Sequence, residues 1–457
     1  MKKIFILLLS FIAMGATMAQ TTDQLSEMNP ETDPVILNRI SEWQDLKFGF
    51  MAHWGIYAQW GVVESWSICN EPWITRNGEN YYDYMRRYQA LNKTFNPRHF
   101  DANAWAKAAK EAGMKYFIFT TKHHDGYCLF DSKYTDYTSV HSPYGRDIVG
   151  QVVDAFRGEG FWTGLYFSKA DWHHDDYWAH EWATPDRNVN YDPVEHPERW
   201  QRFCDFTYNQ VREITHNYGD IDILWFDGGW CRPAWSVDDE VRDWLGCKGW
   251  IQDVNMPRIA KMARENNPDM LIVERTVHGR YENYRTPEKE VPGELQPYPW
   301  ETCMTMGDSW SYVPNDNYKS TRTLVHMLCD VVAKGGCLLL NVGPDAEGRI
   351  PDTALLRMKE MGEWLSANGN AIYSTRPLKP YAEGDWRFTQ SKDGRTLNMI
   401  YLVPSDAKGK LTVELPTDVV NLKQYKRNVL AGGKLSGTRL TIANPQATPA
   451  VVVRLTR

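Results

Sequence analysis

Asp227 closes a short apolar run, Asp222-Ile-Leu-Trp-Phe-Asp227, and is followed by Gly228-Gly229-Trp230. The run reads as a buried β-strand. A carboxylate where a barrel strand emerges is placed for chemistry. Asp is also a common opener of turns, so the residue alone leaves both roles available. The glycines allow a close approach by backbone or ligand. Two further acids stand out, Glu288 in Arg285-Thr-Pro-Glu288 and Glu301 in Pro299-Trp-Glu301. Two carboxylates roughly 5–5.5 Å apart, one a nucleophile and one a proton donor, cleave a glycosidic bond with retention. Asp227 with one of these glutamates meets the chemical requirement. Glu288 lies among Glu282, Arg285, Lys289 and Glu290, a composition that also suits a solvated loop. Glu301 is flanked by Trp300 and lies near a strand. Both remain candidates for the acid.

Polar donors cluster near the ends of other strand-like runs. His53 follows Phe48-Gly-Phe-Met-Ala, and His123-His124-Asp125 follows Tyr116-Phe-Ile-Phe-Thr-Thr. Successive strand residues face opposite ways, so one histidine is expected to face a pocket and the other to support it from behind, unless the strand has already ended. His173-His174-Asp175-Asp176 also comes after a strand. Such ligand types could hold a divalent ion, but neither H-x-H nor H-E-x-x-H spacing occurs. No metal and no cofactor are expected.

The chain of 457 residues exceeds one typical core, so about two domains are expected. A net charge of −7 with no basic stripe argues against a nucleic-acid partner. The 20 Trp and 24 Tyr can fill a large core or offer flat faces to sugar rings. Lys2-Lys3, the apolar run Ile4–Met14 and the small residues before Gln20 read as a signal peptide over residues 1–19. Export, to a periplasm or to the medium, is therefore expected, and no later run is long and apolar enough to span a membrane. The eight cysteines are scattered, and their spacing selects no disulfide. Cys329 and Cys337 read as buried apolar residues. Nothing in the chain sets an oligomeric state.

The elements that must position these groups alternate. Between residues 45 and 368, strand-like runs at 48–53, 116–121, 162–168, 223–227, 270–274, near 300 and at 337–341 are separated by helix-like segments. Asp101 is placed to cap one helix, and Leu324, Met327, Leu328, Val331 and Val332 mark the face of another. Repeated β-then-α units imply a parallel sheet, and about seven units favour a closed barrel. The expected architecture is a (β/α)8-type, TIM-like barrel over residues 20–368. Short strands with turn punctuation predict a C-terminal antiparallel β-sandwich over residues 369–457.

An ordered set of motifs resembles the α-L-fucosidases of glycoside hydrolase family 29: His53-Trp-Gly, Lys122-His-His-Asp-Gly, Gly164-Leu-Tyr-Phe-Ser, Leu-Trp-Phe-Asp227-Gly, Trp300-Glu301, Ser309-Trp-Ser-Tyr312 and Leu339-Leu-Asn-Val-Gly-Pro. The resemblance implies a retaining exo-hydrolase of terminal α-L-fucose, with Asp227 matching the nucleophile. It implies that His53, His123, His124, Tyr166, Trp225 and Arg275 hold the sugar, with Trp310 against its methyl group. Thr286-Pro-Glu288 is similar to the acid/base segment of members that cut α-1,3/1,4 linkages on branched sugars. Trp300-Glu301 is similar to that of other members. Glu288 is favoured and Glu301 is the alternative. Where the family carries Glu-Trp, this chain carries Ser65-Trp66 with Glu71 nearby, so Trp66 and Glu71 complete the expected site. The implied partner is a fucosylated oligosaccharide or glycoconjugate. The rival readings are a non-catalytic fucose-binding protein and a metal-dependent hydrolase.

Overall fold

The computed structural model describes residues 31–246, 248 and 251–457. The expected leader, Met1–Ala19, and Cys247 lie outside the described residues. Helix α1 (Pro34–Leu46) comes first, with the Asp33 side chain accepting from the Val35 N–H and Pro34 in the first turn. Strand β1 (Phe48–Ala52) follows, then α2 (Tyr81–Gln89), α3 (Ala102–Glu111) and β2 (Tyr116–Lys122). Asp101 caps α3 as its sequence suggests, and Trp105, Ala106 and Ala109 form the buried face. Next come α4 (Ile148–Gly158), β3 (Trp162–Ser168), α5 (Pro197–His216) and β4 (Ile223–Asp227). The unit closes with α6 (Asp239–Leu245), α7 (Met256–Ala263), β5 (Leu271–Glu274), β6 (Glu301–Thr305), α8 (Thr321–Ala333), β7 (Cys337–Val342) and α9 (Asp352–Asn368).

These strands form one parallel sheet of seven in the order β5-β4-β3-β2-β1-β7-β6. Nearly every strand residue is buried, which is why the runs read as continuously apolar rather than alternating. The architecture is TIM-like, but an eight-stranded closed ladder is not what forms. Among the described residues β5 and β6 are the sheet edges and share no ladder. The segment 282–288 lies between them and makes only isolated bridges: Glu282 to Val273 of β5, Arg285 to Trp300, and Glu288 to Cys303 of β6. Pro287 denies this stretch one backbone donor, and prolines at 292, 297 and 299 do the same to the chain that leads on to β6.

Beyond α9 the chain is antiparallel. A five-stranded sheet contains β8 (Thr375–Glu383), β9 (Trp386–Ser391), β10 (Thr396–Leu402), β12 (Lys426–Val429) and β15 (Ala450–Thr456). A three-stranded sheet contains β11 (Leu411–Glu414), β13 (Lys434–Ser436) and β14 (Arg439–Ile442). Phe388, Met399 and Val451 of the first share a core with Leu440 and Ile442 of the second. Arg322 of α8 ties this unit to the first through the carbonyls of Val403 (2.7 Å) and Pro445 (2.7 Å). Cys329 and Cys337 are fully buried, as their apolar settings suggest.

Candidate active site

A cavity of about 810 Å3 opens at the C-terminal end of the parallel sheet. Its inner wall brings together His53, Trp66, His123, His124, Tyr166, Trp225, Asp227, Arg275, Glu288 and Trp310. His53, the His123-His124 pair, Asp227 and Arg275 stand at the C-terminal ends of β1, β2, β4 and β5, and Trp66, Glu288 and Trp310 come from connecting segments, as expected for barrel enzymes.

Asp227 is the last residue of β4, and its two oxygens are held separately. Oδ1 accepts from Arg275 Nη1 at 2.9 Å and Oδ2 accepts from the Tyr166 hydroxyl at 2.8 Å. His124 Nε2 lies 3.8 Å from Oδ2. Burial opposes ionisation, but the Arg275 guanidinium, then His124 and His123 and the Tyr166 hydroxyl, hold the Asp227 carboxyl well below the usual carboxylate range. The two glycines that follow are needed. Gly228 has φ +85°, and a Cβ at Gly229 would lie 2.1 Å from the Thr276 hydroxyl of the next strand's loop.

Arg275 is shared between two carboxylates. Its Nη2 donates to Glu288 Oε2 at 2.9 Å, while Nε donates to the Thr286 hydroxyl at 3.0 Å. Trp310 Nε1 donates to the other Glu288 oxygen at 3.1 Å. Lys289 N donates to the Cys303 carbonyl, so Glu288 is registered along β6 by backbone bonding. The two acids are thus joined through one planar guanidinium, each on its own terminal nitrogen. The Glu288 side chain lines the cavity and is 48% exposed.

The other acid lies elsewhere. Glu301 begins β6 rather than ending a strand, which puts it at the opposite end of the parallel sheet from Asp227. It is fully buried, accepts from the Tyr116 hydroxyl (2.5 Å) and Trp225 Nε1 (3.3 Å), and does not line the cavity. Burial pushes its carboxyl up to about 8.

The paired histidines both face the hollow, with ring centroids 4.5 Å apart. The ladder ends at Lys122 after a register shift, so strand alternation no longer separates them. Lys122 takes the rear position and pairs with Asp171 at 3.0 Å, fully buried. His123 Nδ1 contacts the Ser65 hydroxyl, and His53 Nδ1 contacts Asn341 Oδ1 at 2.8 Å. Burial lowers His53 and His124 to about 4 and His123 further, so all three are neutral near pH 7 and able to pair with hydroxyl groups. Asn341 also donates to the Trp310 carbonyl at 2.7 Å, which links His53 to the indole over Glu288. His173 and His174 do not join this group: His173 stacks on Tyr137 and His174 Nδ1 accepts from Asp176 N.

Glu71 turns away as well. It accepts from Arg187 Nε at 2.5 Å and from Trp73 Nε1, and does not line the cavity. The acid beside Trp66 is Glu64, two residues earlier, buried and raised to about 7 by that burial against Lys289 and the Ser311 and Trp310 N–H groups. An intervening Ser65 conceals it from a search for adjacent Glu-Trp. Arg187 also lines the cavity, its guanidinium 4.8 Å from the Trp66 ring and 5.3 Å from Trp230. It sits in a long irregular loop after β3, where no local pattern marks it.

The sequence profile of the α-L-fucosidase family matches residues 15–370, and the chain belongs to that family. It is 29% identical over 404 residues to an α-L-fucosidase of Dictyostelium discoideum, covering 83% of this chain and 82% of that one. The solved structure of α-L-fucosidase isoenzyme 1 from Paenibacillus thiaminolyticus superposes with a TM-score of 0.71 at 31% identity, over 92% of this chain and 99% of that one. An α-fucosidase of Thermotoga maritima, in complex with a mechanism-based inhibitor, gives 0.68 at 27% identity over 94% and 100%.

Proposed function

We propose that this protein is a retaining exo-α-L-fucosidase, with Asp227 as nucleophile and Glu288 as acid/base, acting on α-1,3/1,4-linked fucose of branched glycans. The observation that carries the reading is the shared guanidinium: an ionised Asp227 and a solvent-reachable Glu288 meet on Arg275. Asp227 attacks the anomeric carbon as the glycosidic bond breaks, and Glu288 gives its proton to the departing oxygen. The new ester neutralises Asp227 and leaves Arg275 with Glu288 as its remaining anionic partner. Water then attacks the same carbon, Glu288 takes its proton, and fucose and the Asp227 carboxylate are released. Neutral His53, His123 and His124, with Trp66, Trp225 and Trp310, supply the hydroxyl partners and apolar faces. The linkage assignment rests on the similarity of Thr286-Pro-Glu288. The charged-then-apolar start of the chain supports action outside the cytoplasm, with residues 20–368 catalytic and 369–457 an accessory β domain.

Asp227→Ala abolishes turnover of an aryl fucoside while the protein stays folded; retained activity would falsify the assignment. Azide restores activity to Glu288→Ala and not to Glu301→Ala, and the reverse pattern exchanges their roles. One observation favours a metal reading: ligand atoms of His123, His124 and Asp227 lie within 4.8 Å of one another. The Arg275 cation already at Asp227 opposes a second cation there. Full activity after chelation removes the metal reading, and loss restored by Zn2+ upholds it.

A further inference from the structure

The cavity is larger than one monosaccharide requires; its 810 Å3 falls high in the range of roughly 300–1,000 Å3 that holds drug-sized ligands. Beyond the residues already described, the cavity is also lined by His278, Glu282, Arg285, Gln296, Tyr298 and Trp244. This wall is rigid. Glu282 is almost wholly buried and accepts from the Thr276 N–H at 2.7 Å and from His278 Nδ1 at 2.6 Å. The Arg285 guanidinium lies 3.9 Å from the Tyr298 ring centroid. Thr276 has φ +64°, an unusual value for a β-branched residue. It is fixed from the other side by Arg232, which donates to its carbonyl at 2.8 Å and its hydroxyl at 2.9 Å.

Trp244 differs from every other indole at the cavity. Of the exposed tryptophans among the described residues, Trp73, Trp182, Trp235 and Trp244, it alone lines the cavity, and it is 66% exposed. Its helix α6 is anchored by the Asp238 cap on Val241 N (2.7 Å) and by buried Val241. An anchored element therefore offers a large apolar face to water in the same cavity as that polar wall. A sugar ring, with C–H groups on one face and hydroxyls around its edge, complements that pairing.

We infer that Trp244 and the His278–Glu282 wall form a leaving-group subsite, in which a sugar of the branched aglycone packs on the Trp244 indole while its hydroxyls meet the wall. The inference rests on the fucosidase reading. The probes are the trisaccharide Galβ1-4(Fucα1-3)GlcNAc and 2-chloro-4-nitrophenyl α-L-fucoside, whose leaving group is too small to need the subsite. In Trp244→Ala the ratio of kcat/KM for the trisaccharide to that for the aryl fucoside falls on the order of tenfold, as loss of a binding hot spot does. The fall is carried by KM, and Trp244→Phe restores part of it. An unchanged ratio, with wild type active on the aryl fucoside, overturns the subsite alone. A wild-type protein that releases fucose from neither probe overturns the fucosidase reading and the subsite with it. Because the side chain is mostly in water, melting temperatures of the variants should match wild type; a large drop would mean a structural role and would count against the subsite.

Discussion

Replacing Arg275 by Met tests the electrostatics of the site most directly. Met keeps apolar bulk over Trp225, whose ring lies 4.6 Å from the guanidinium, but removes the cation 2.9 Å from Asp227. Four groups now counter the burial of Asp227: Arg275, His124, His123 and the Tyr166 hydroxyl. The histidines are neutral above about pH 4 or lower, so the guanidinium is the one permanent charge among them. An arginine beside an aspartate typically lowers its pKa by about 1–3 units. At about 1.4 kcal/mol per unit, its loss costs Asp227 roughly 1.4–4 kcal/mol of preference for the ionised form. With burial then less opposed, the acidic limb of kcat/KM against pH should rise by about 1–3 units. An aryl fucoside is the right substrate, because its phenolate leaves with little help from Glu288. The stability sign agrees. A depressed Asp227 stabilises the fold above its unfolded value near 3.9 and that contribution is lost as pH falls below it. The variant lacks it, so it should melt earlier at pH 7. An acidic limb that stays at the wild-type position, with only its height reduced, would show that Arg275 does not set the charge of Asp227.

Three further outcomes follow from individual contacts. Glu301 is raised by burial to about 8, so its stabilising contribution is present below pH 4.5 and is lost as pH rises through 8; Glu301→Gln should flatten the fall in melting temperature between pH 5 and 8, and an unaltered slope would contradict the assignment. Glu64→Ala should weaken inhibition by free fucose by roughly 0.5–3 kcal/mol, the span from a neutral to a charged hydrogen bond for a carboxyl raised to about 7, and an unchanged inhibition constant would remove Glu64 from the sugar site. Gly229→Ala drives a methyl to within 2.1 Å of the Thr276 hydroxyl, so thermal melts should show a loss of about 1–3 kcal/mol together with lower activity; wild-type behaviour would mean the loop yields freely.

The sequence was most legible where burial is continuous. β1 to β5 and β7 are apolar runs whose ends carry His53, His123, Asp227 and Arg275, and the structure puts those strands where the runs lie. β6 is legible only in part: the sequence places a strand near 300, and the strand runs on through Glu301-Thr-Cys-Met-Thr, polar by composition yet wholly buried. Its polar atoms are satisfied by tertiary partners that no local pattern reveals: Thr302 donates to the Glu290 carbonyl at 2.6 Å and Glu301 accepts from Tyr116 and Trp225. The missing eighth strand has the same origin, since isolated bridges between 282–288 and its neighbours follow no period. Tyr166 and Trp225 could be placed at the sugar site by resemblance, but their hydrogen bonds to Asp227 and Glu301 could not be read. Glu64 and Arg187 belong to loops, where position depends on packing against distant elements.

The interrupted ladder between β5 and β6 separates two kinds of inheritance in this molecule. Asp227, the proposed nucleophile, ends a strand of the sheet, where any change disturbs the core that neighbouring strands rely on. Glu288 and the wall beyond it belong to the connection between β5 and β6, which makes isolated bridges to both strands and is pinned inward by buried Tyr284, stacked on Trp43. Because Thr286 and Glu288 of that segment also grip Arg275, exchanging it between relatives would move the second carboxylate and the outer wall together and would reset the anchoring of Asp227 at the same time.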